Sequence, residues 1–524
     1  MHDTREDIPR SGPLAGVDVT TTVAATTMVI AFILFTVLMP DTAQAAYTSI
    51  KNFITQRLGW YYIATVNLVL LAAVVLILSP WGGIRLGRDE DRPEFKWFSW
   101  FAMLFSASVG TGLMFFSIAE PLTHMQGNPF QRMAGIEAGS LASGEQALRI
   151  TLFHWGLHGW AIYILIGAML GYFSYRRGLP LTIRSAFYPL LGRHIYGPLG
   201  HAIDLLAIFA TLFGTATTLG LGVAQMNAGL NQLFGLSIST THQVVLVVIV
   251  SVLATLSVVS GLKKGIRLLS EWNIHLSMIL FAFFIIAGPT IFLLTTFGKT
   301  IGGYLLDMIP MGLWVNTDPS DQWQSWWTLF YWGWWLSWGP FVGMFIARIS
   351  YGRTIRQVLL GGMAASLLAA GAWIAIFGGT ALHLQFFAGV DLASLASQDL
   401  ASVLFHTIDS VAGGALGITM IGMATLMIIT WFVTSADSGT LVICTILSRG
   451  EAHPPQLQRV FWGLFLGATS AVLLVAGGLQ ALQTAAIASA LPFSVVLLLM
   501  CFCLFKALVE DGRSPSPKRY ASWQ

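Results

Sequence analysis

The chain has 524 residues, 55% of them hydrophobic and only 10% charged, with a mean hydropathy of +0.72. A soluble protein carries about 25% charged residues, so this composition excludes a soluble globular fold and implies a polytopic membrane protein. The net charge of +3 comes from basic residues spread over loops, with no patch for a nucleic acid.

The opening stretch, MHDTREDIPRSGPLAG, is polar and of mixed charge, and no cleavable signal peptide is evident. Twelve hydrophobic segments follow, centred near Ile30, Val69, Ala107, Ile162, Leu212, Val250, Phe283, Trp335, Ala370, Met427, Phe465 and Val495. With both termini cytoplasmic, the only basic residues left outside are Lys51, Arg57, Arg132, Arg149 and Lys299, in keeping with the positive-inside rule. The long outside loops are expected at about Glu120 to Ala147 and Gly298 to Gln322. The second carries Ile301, Leu305, Met308 and Ile309, an amphipathic pattern suited to lying flat or touching a neighbour. Cys444, Cys501 and Cys503 lie in apolar segments at no metal or redox spacing and read as small core residues.

In the third segment, SASVGTGLMFF, Gly110 and Gly112 weaken the helix and free amides and carbonyls for a ligand. Close packing of small residues is the other reading. A dinucleotide loop is excluded, since neither a preceding strand nor the further glycine is present. Gly112 is expected to leave room and to add no negative charge.

The fourth segment, HWGLHGWAIY, sets His154 and His158 four apart on one face, as a metal pair would be. No carboxylate accompanies them locally, so hydrogen-bonded packing is their expected role. Thr211 and Thr215 share a face of the fifth segment, a pattern that usually joins helices; Asp204 could cap its cytoplasmic end.

The eighth segment opens WQSWWTLFYWGWWLSWGPF. Trp323, Trp326 and Trp327 suit an interfacial belt. Trp332, Trp334, Trp335 and Trp338 lie deeper, Trp338 about 18 Å below Trp326 at the helical rise. Trp335 and Trp338 share a face, and with Gly333 and Gly339 leaving room they suggest a socket for a cation. A desolvated quaternary ammonium gains about 2 kcal/mol or more from an indole face. The tenth segment, WFVTSADSGT, offers the hydroxyls of Thr434 and Ser435. Asp437 follows, where structural hydrogen bonding is expected ahead of proton relay.

The run WTLFYWGWWLSWGPFVGMFIARIS resembles, almost residue for residue, the signature of the betaine/choline/carnitine transporter family, and the resemblance extends from about Thr20 to the end of the last helix. It implies an all-α polytopic membrane protein with a LeuT-like fold of twelve transmembrane helices: two extra N-terminal helices, then two inverted five-helix repeats, each opening on an interruptible helix. On this chain that places a tail at 1–20, the extra helices at 21–95, the repeats at 96–297 and 323–508, a connector at 298–322, and a short tail at 509–524. The family's pattern puts a substrate carboxylate on amides near Ala107, Gly110, Thr111 and Gly112. Its aromatic wall falls on Trp155, Trp160, Tyr163, Trp334, Trp335 and Trp338. One sodium site would take the carbonyls of Ser106, Val109 and Trp431 with the hydroxyls of Thr434 and Ser435. Another would take Thr211, Thr215 and the ring of Phe341.

Four residues depart from the pattern: Ser108, Val109, Trp431, and Thr111, which adds a hydroxyl beside the pocket. Proton-coupled choline carriers of the family have Asp where this chain has Gly112, and its sodium-independent carnitine exchangers have a basic residue in the fifth helix, absent here. The resemblance therefore implies sodium-driven import of glycine betaine or a related onium compound through the bacterial inner membrane, by a homotrimer with no cofactor beyond sodium ions. A proton-coupled choline carrier and a carnitine exchanger are the alternatives. No Walker motif is present for ATP. A channel would need no coupling, and an intramembrane enzyme would need a constellation that the His154/His158 pair alone does not supply.

Overall fold

A chain immersed in lipid must satisfy its backbone groups internally, and long apolar runs do so as helices. The computed structural model describes residues 9, 11–12, 14–108, 110–260 and 265–512, and nearly all of its ordered backbone is helical apart from one bridge pairing Arg85 with Thr354. Val109 and the two ends, residues 1–8 and 513–524, lie outside the described residues.

The helices are α1 (Val19–Leu38), α2 (Pro40–Arg57), α3 (Gly59–Leu78), α4 (Trp97–Ser108), α5 (Thr111–His124), α6 (Pro129–Ala134), α7 (Leu141–Trp155), α8 (Leu157–Gly171), α9 (Tyr188–Leu191) and α10 (Pro198–Phe234). Then come α11 (Thr240–Ser260), α12 (Gly265–Ala287), α13 (Thr290–Leu313), α14 (Trp323–Trp326), α15 (Thr328–Ile349), α16 (Ile355–Phe387), α17 (Leu392–Gln398), α18 (Val403–Val411), α19 (Gly414–Leu447) and α20 (Gln456–Gly512). Among the described residues, eight stretches are long and apolar enough to cross a membrane, or nine if α12 and α13, bent by 113° at their junction, count as one. This is an all-helical, multi-span membrane protein.

Local chemistry sets the helix ends. Asp18 caps α1 by accepting from the Thr21 amide, and Thr354 with Gln357 forms a capping box at α16. Gly235 closes α10 in the left-handed conformation. The long α20 kinks at Gly478, whose φ of +61° favours glycine, so it forms two arms.

The breaks match the sequence reading in one segment and differ from it in two. The third segment divides as expected, between α4 and α5 at Gly110. The fourth also divides, at Gly156 between α7 and α8. The eighth is not interrupted: α15 runs unbroken through Gly339 and Pro340, and its one distortion is at Trp327, at the entrance. The expected outside loop at Glu120–Ala147 is displaced too. α5 continues to His124 and α7 starts at Leu141, so Glu120 is a buried helical residue. The amphipathic connector exists as α13, although it begins at Thr290 rather than Gly298.

Burial grades from rim to centre. α1 and α11 turn mostly exposed apolar side chains outward, whereas α7, α8 and α10 are almost wholly buried. α8 and α15 cross at glycines: a Cβ on Gly167 would lie 2.6 Å from Ile346, and one on Gly343 would overlap Ile166. Overpacking this crossing should cost about 1–3 kcal/mol. Gly343→Leu is therefore expected to lower the melting temperature of detergent-solubilised protein, whereas Gly302→Ala, at a position open to space, should leave it unchanged.

Candidate functional site

Where α5, α8, α12, α15 and α19 meet, they enclose a cavity of about 380 Å³. Its aromatic wall comes from Trp155, Trp160 and Tyr163 on one side and Trp334, Trp335, Trp338 and Phe341 on α15. All six wall residues expected from the sequence are therefore brought together. Trp334 and Trp335 stack at 4.9 Å and 14°, and Trp155 meets Trp335 edge-on at 4.8 Å. Tyr163 and Trp160 complete a second edge-on pair at 5.4 Å. Such an arrangement offers ring faces to a cation in a largely apolar space.

The fourth deep tryptophan, Trp332, does not join them. Its phase on α15 turns it away, and it stacks on His158 at 5.6 Å. Among the entrance tryptophans only Trp326 is strongly exposed, with the Lys51 ammonium 3.5 Å over its ring. Trp323 and Trp327 instead pack against His124, at 5.1 Å and 4.5 Å.

The N-terminus of α5 faces the cavity through Gly110, Gly112 and Leu113. Among the described residues its first helical bond runs from the Met114 amide to the Gly110 carbonyl, and the first amides of a helix have no acceptor within it. Free amides at a helix start suit a carboxylate. Thr111 points elsewhere: it packs on Gly222 of α10, and its hydroxyl does not line the cavity. The room expected at Gly112 is absent as well. A Cβ there would lie 2.5 Å from the Trp334 ring and 2.9 Å from that of Trp155.

Polar groups lie toward the Arg348 end. Trp431, Thr434 and Ser435 line the cavity, with Asn273 and Ser438 beside them. Thr434 Oγ1 donates within α19 to the carbonyls of Thr430 and Trp431, at 3.1 Å and 3.0 Å. These oxygens suit a hard cation. Of the carbonyl partners expected beside them, Ser106 is in the last turn of α4, as is Ala107, and Val109 lies outside the described residues. Phe341 reaches the cavity, but Thr211 and Thr215 do not. Thr211 donates to the Ala207 carbonyl at 2.9 Å, and Thr215 approaches Gly439 with a buried hydroxyl that has no partner among the described residues.

Asp204 resolves differently from expectation: it sits inside α10, where it accepts from the Arg184 backbone amide at 3.1 Å and from Nε at 2.5 Å, so it is an ion-pair partner rather than a cap. Asp437 is buried and faces the Ser257 hydroxyl.

Glu120 is the functional candidate that the sequence reading missed. Its carboxylate is fully buried above the cavity and takes four donors. His124 Nε2 and His154 Nδ1 lie 3.1 Å and 2.6 Å from Oε1; Trp155 Nε1 and the Tyr331 hydroxyl lie 3.2 Å and 2.6 Å from Oε2. Glu120, His124 and His154 bring possible metal ligands within 4.8 Å of one another. Trp323 Nε1, however, donates to His124 Nδ1 at 3.3 Å, which leaves the proton on Nε2 to serve Glu120. The cluster is thus a satisfied hydrogen-bond network, and His158 takes no part in it. The signal in the sequence was an acid four residues before a histidine, EPLTH, next to an apolar run.

The family model for betaine/carnitine/choline family transporters matches residues 20–513, nearly the whole chain. The chain belongs to this transporter family. It is a transporter and not an enzyme. Among its relatives, the glycine betaine transporter OpuD of Bacillus subtilis is 42% identical over 92% of this chain and 93% of its own length. A glycine betaine transporter of Acinetobacter baylyi is 41% identical over 93% of this chain and 73% of its own. The osmo-dependent choline transporter BetT2 of Acinetobacter baylyi is 40% identical over 93% and 71%.

In this family member, removing Glu120 would strand four buried donors. Glu120→Ala should destabilise the protein by about 3–5 kcal/mol, the usual cost of breaking a buried charged network. The measurement is thermal unfolding in detergent, and Asp318→Ala, in an exposed loop, is the control expected to show no change.

Proposed function

We propose that this chain imports glycine betaine, or a closely similar zwitterionic onium compound, by sodium symport with alternating access. One observation carries the reading: a ring-lined cavity with the N-terminus of α5 on its wall. Rings attract a quaternary ammonium, and amides attract a carboxylate. Betaine carries both groups and choline only the first. The names of two relatives support the same substrate.

Sodium is the proposed coupling ion because oxygen ligands gather at Thr434 and Ser435 without a basic residue lining the cavity. Each charge carried inward gains about 2.3 kcal/mol per 100 mV of membrane potential. The proposal includes twelve spans. The broken pairs α4–α5 and α7–α8 and the two arms of α20 would each be counted as family helices, alongside α12 and α15. It also includes two inverted repeats, cytoplasmic termini, residence in the bacterial inner membrane, and a homotrimer.

Choline is the second reading, favoured by the relative named as a choline transporter. The two separate in proteoliposomes: betaine uptake is expected to need an inward sodium gradient and to exceed choline uptake. Uptake driven equally by a proton gradient in sodium-free buffer would overturn the coupling ion, and preference for choline would overturn the substrate.

Ring removal gives a second measurement. Trp335→Ala should weaken betaine binding by about 2 kcal/mol or more, roughly thirtyfold in Kd, while Trp326→Ala should change it little. Equal losses at both positions would mean that loss of a tryptophan merely damages the fold.

A further inference from the structure

Asn273 is a buried amide on the cavity wall that the proposed substrate site does not use. It lies on α12, is 3% exposed, and lines the cavity beside Trp431, Thr434, Ser435 and Ser438. Its Nδ2 donates to Thr434 Oγ1 at 3.3 Å. Its Oδ1 is buried and, among the described residues, has no hydrogen-bond partner. An orphaned buried carbonyl oxygen is rare in native structures and calls for an explanation.

We propose that Asn273 Oδ1 is a ligand of the cation held by the Thr434 and Ser435 hydroxyls. The inference rests on the sodium-coupled reading above and adds a ligand from a third helix, α12, to it. The N–H bond from Nδ2 occupies a lone pair of Thr434 that a cation would need, so amide and ion compete for that oxygen. A half-turn of the amide settles the competition, because it places Oδ1 where Nδ2 stands. Two oxygens about 2.4 Å from one cation and at right angles lie roughly 3.4 Å apart. The observed 3.3 Å between Nδ2 and Thr434 Oγ1 matches that spacing. The ion thereby ties α12 to α19, and without it the two helices keep only the weaker amide-to-hydroxyl bond.

The test uses purified full-length protein and sodium chloride, with choline-free potassium buffer as the blank. The first readout is the sodium-induced change in tryptophan fluorescence, which Trp431 and the ring wall should report. The second is betaine binding at saturating sodium. Asn273→Leu should raise half-saturating sodium at least fivefold, and betaine binding lost at low sodium should recover as sodium is raised. Asn273→Asp puts a charged oxygen in the same place and should lower half-saturating sodium. A role in packing alone would move both variants the same way, and that result overturns the assignment, as does an unchanged half-saturation in Asn273→Leu. Should Asn273→Leu fail to fold, the sign of the Asn273→Asp shift decides. A wild-type protein that binds betaine but shows no sodium response would sink the coupling ion and this ligand together, leaving the substrate reading intact.

Discussion

The closed end of the cavity depends on one buried carboxylate. An ionised Glu120 can be held in a dry interior only if its oxygens are fully occupied by donors. Here the four donors come from α5, α7 and α15, so the group that needs them also fastens three helices together. Two of its partners reach the cavity side: Trp155 is part of the ring wall, and Tyr331 lies against Trp335 at 5.6 Å. The same bonds that seal this end therefore orient the rings below it.

The opposite end is built differently. Cavity-lining residues on α15 run from Trp334 down to Phe345, one turn short of Arg348, and Ser438 and Ile274 extend the wall in the same direction. Beyond it, ion pairs join distant parts of the chain: Asp18 before α1 bonds Arg449 after α19 at 2.8 Å, and Arg184 contacts both Asp18 and Asp204. One end of the cavity is thus packed with rings around a carboxylate, and its polar lining lies toward the other.

Much of this was legible in the residues themselves. The tryptophan run announced its ring wall because that density of indoles in an uncharged segment has few other uses. Gly110 announced a break because glycine is costly within a helix. What failed depended on phase and distance. Trp332 differs from Trp334 only in the direction that α15 gives it, which composition cannot show. The resemblance implies an interruptible eighth segment, yet a helix braced by close neighbours keeps its path through Gly339 and Pro340. Glu120 reads as a loop residue because a lone acid ordinarily marks water, and three of its four partners lie 34, 35 and 211 positions away in the chain. Asn273 had no local signature at all, being one polar residue on an otherwise amphipathic helix.

Gly112 has a bearing on how this pocket could change over evolutionary time. The edges of Trp334 and Trp155 already fill the space that its side chain would need. A substitution that brought a charge to this point would have to be preceded, or accompanied, by a rearrangement of both rings. Ligand charge preference and ring geometry are therefore linked characters. A lineage would shift from zwitterion to simple cation by a coordinated path through several positions, with single-residue intermediates that handle neither well.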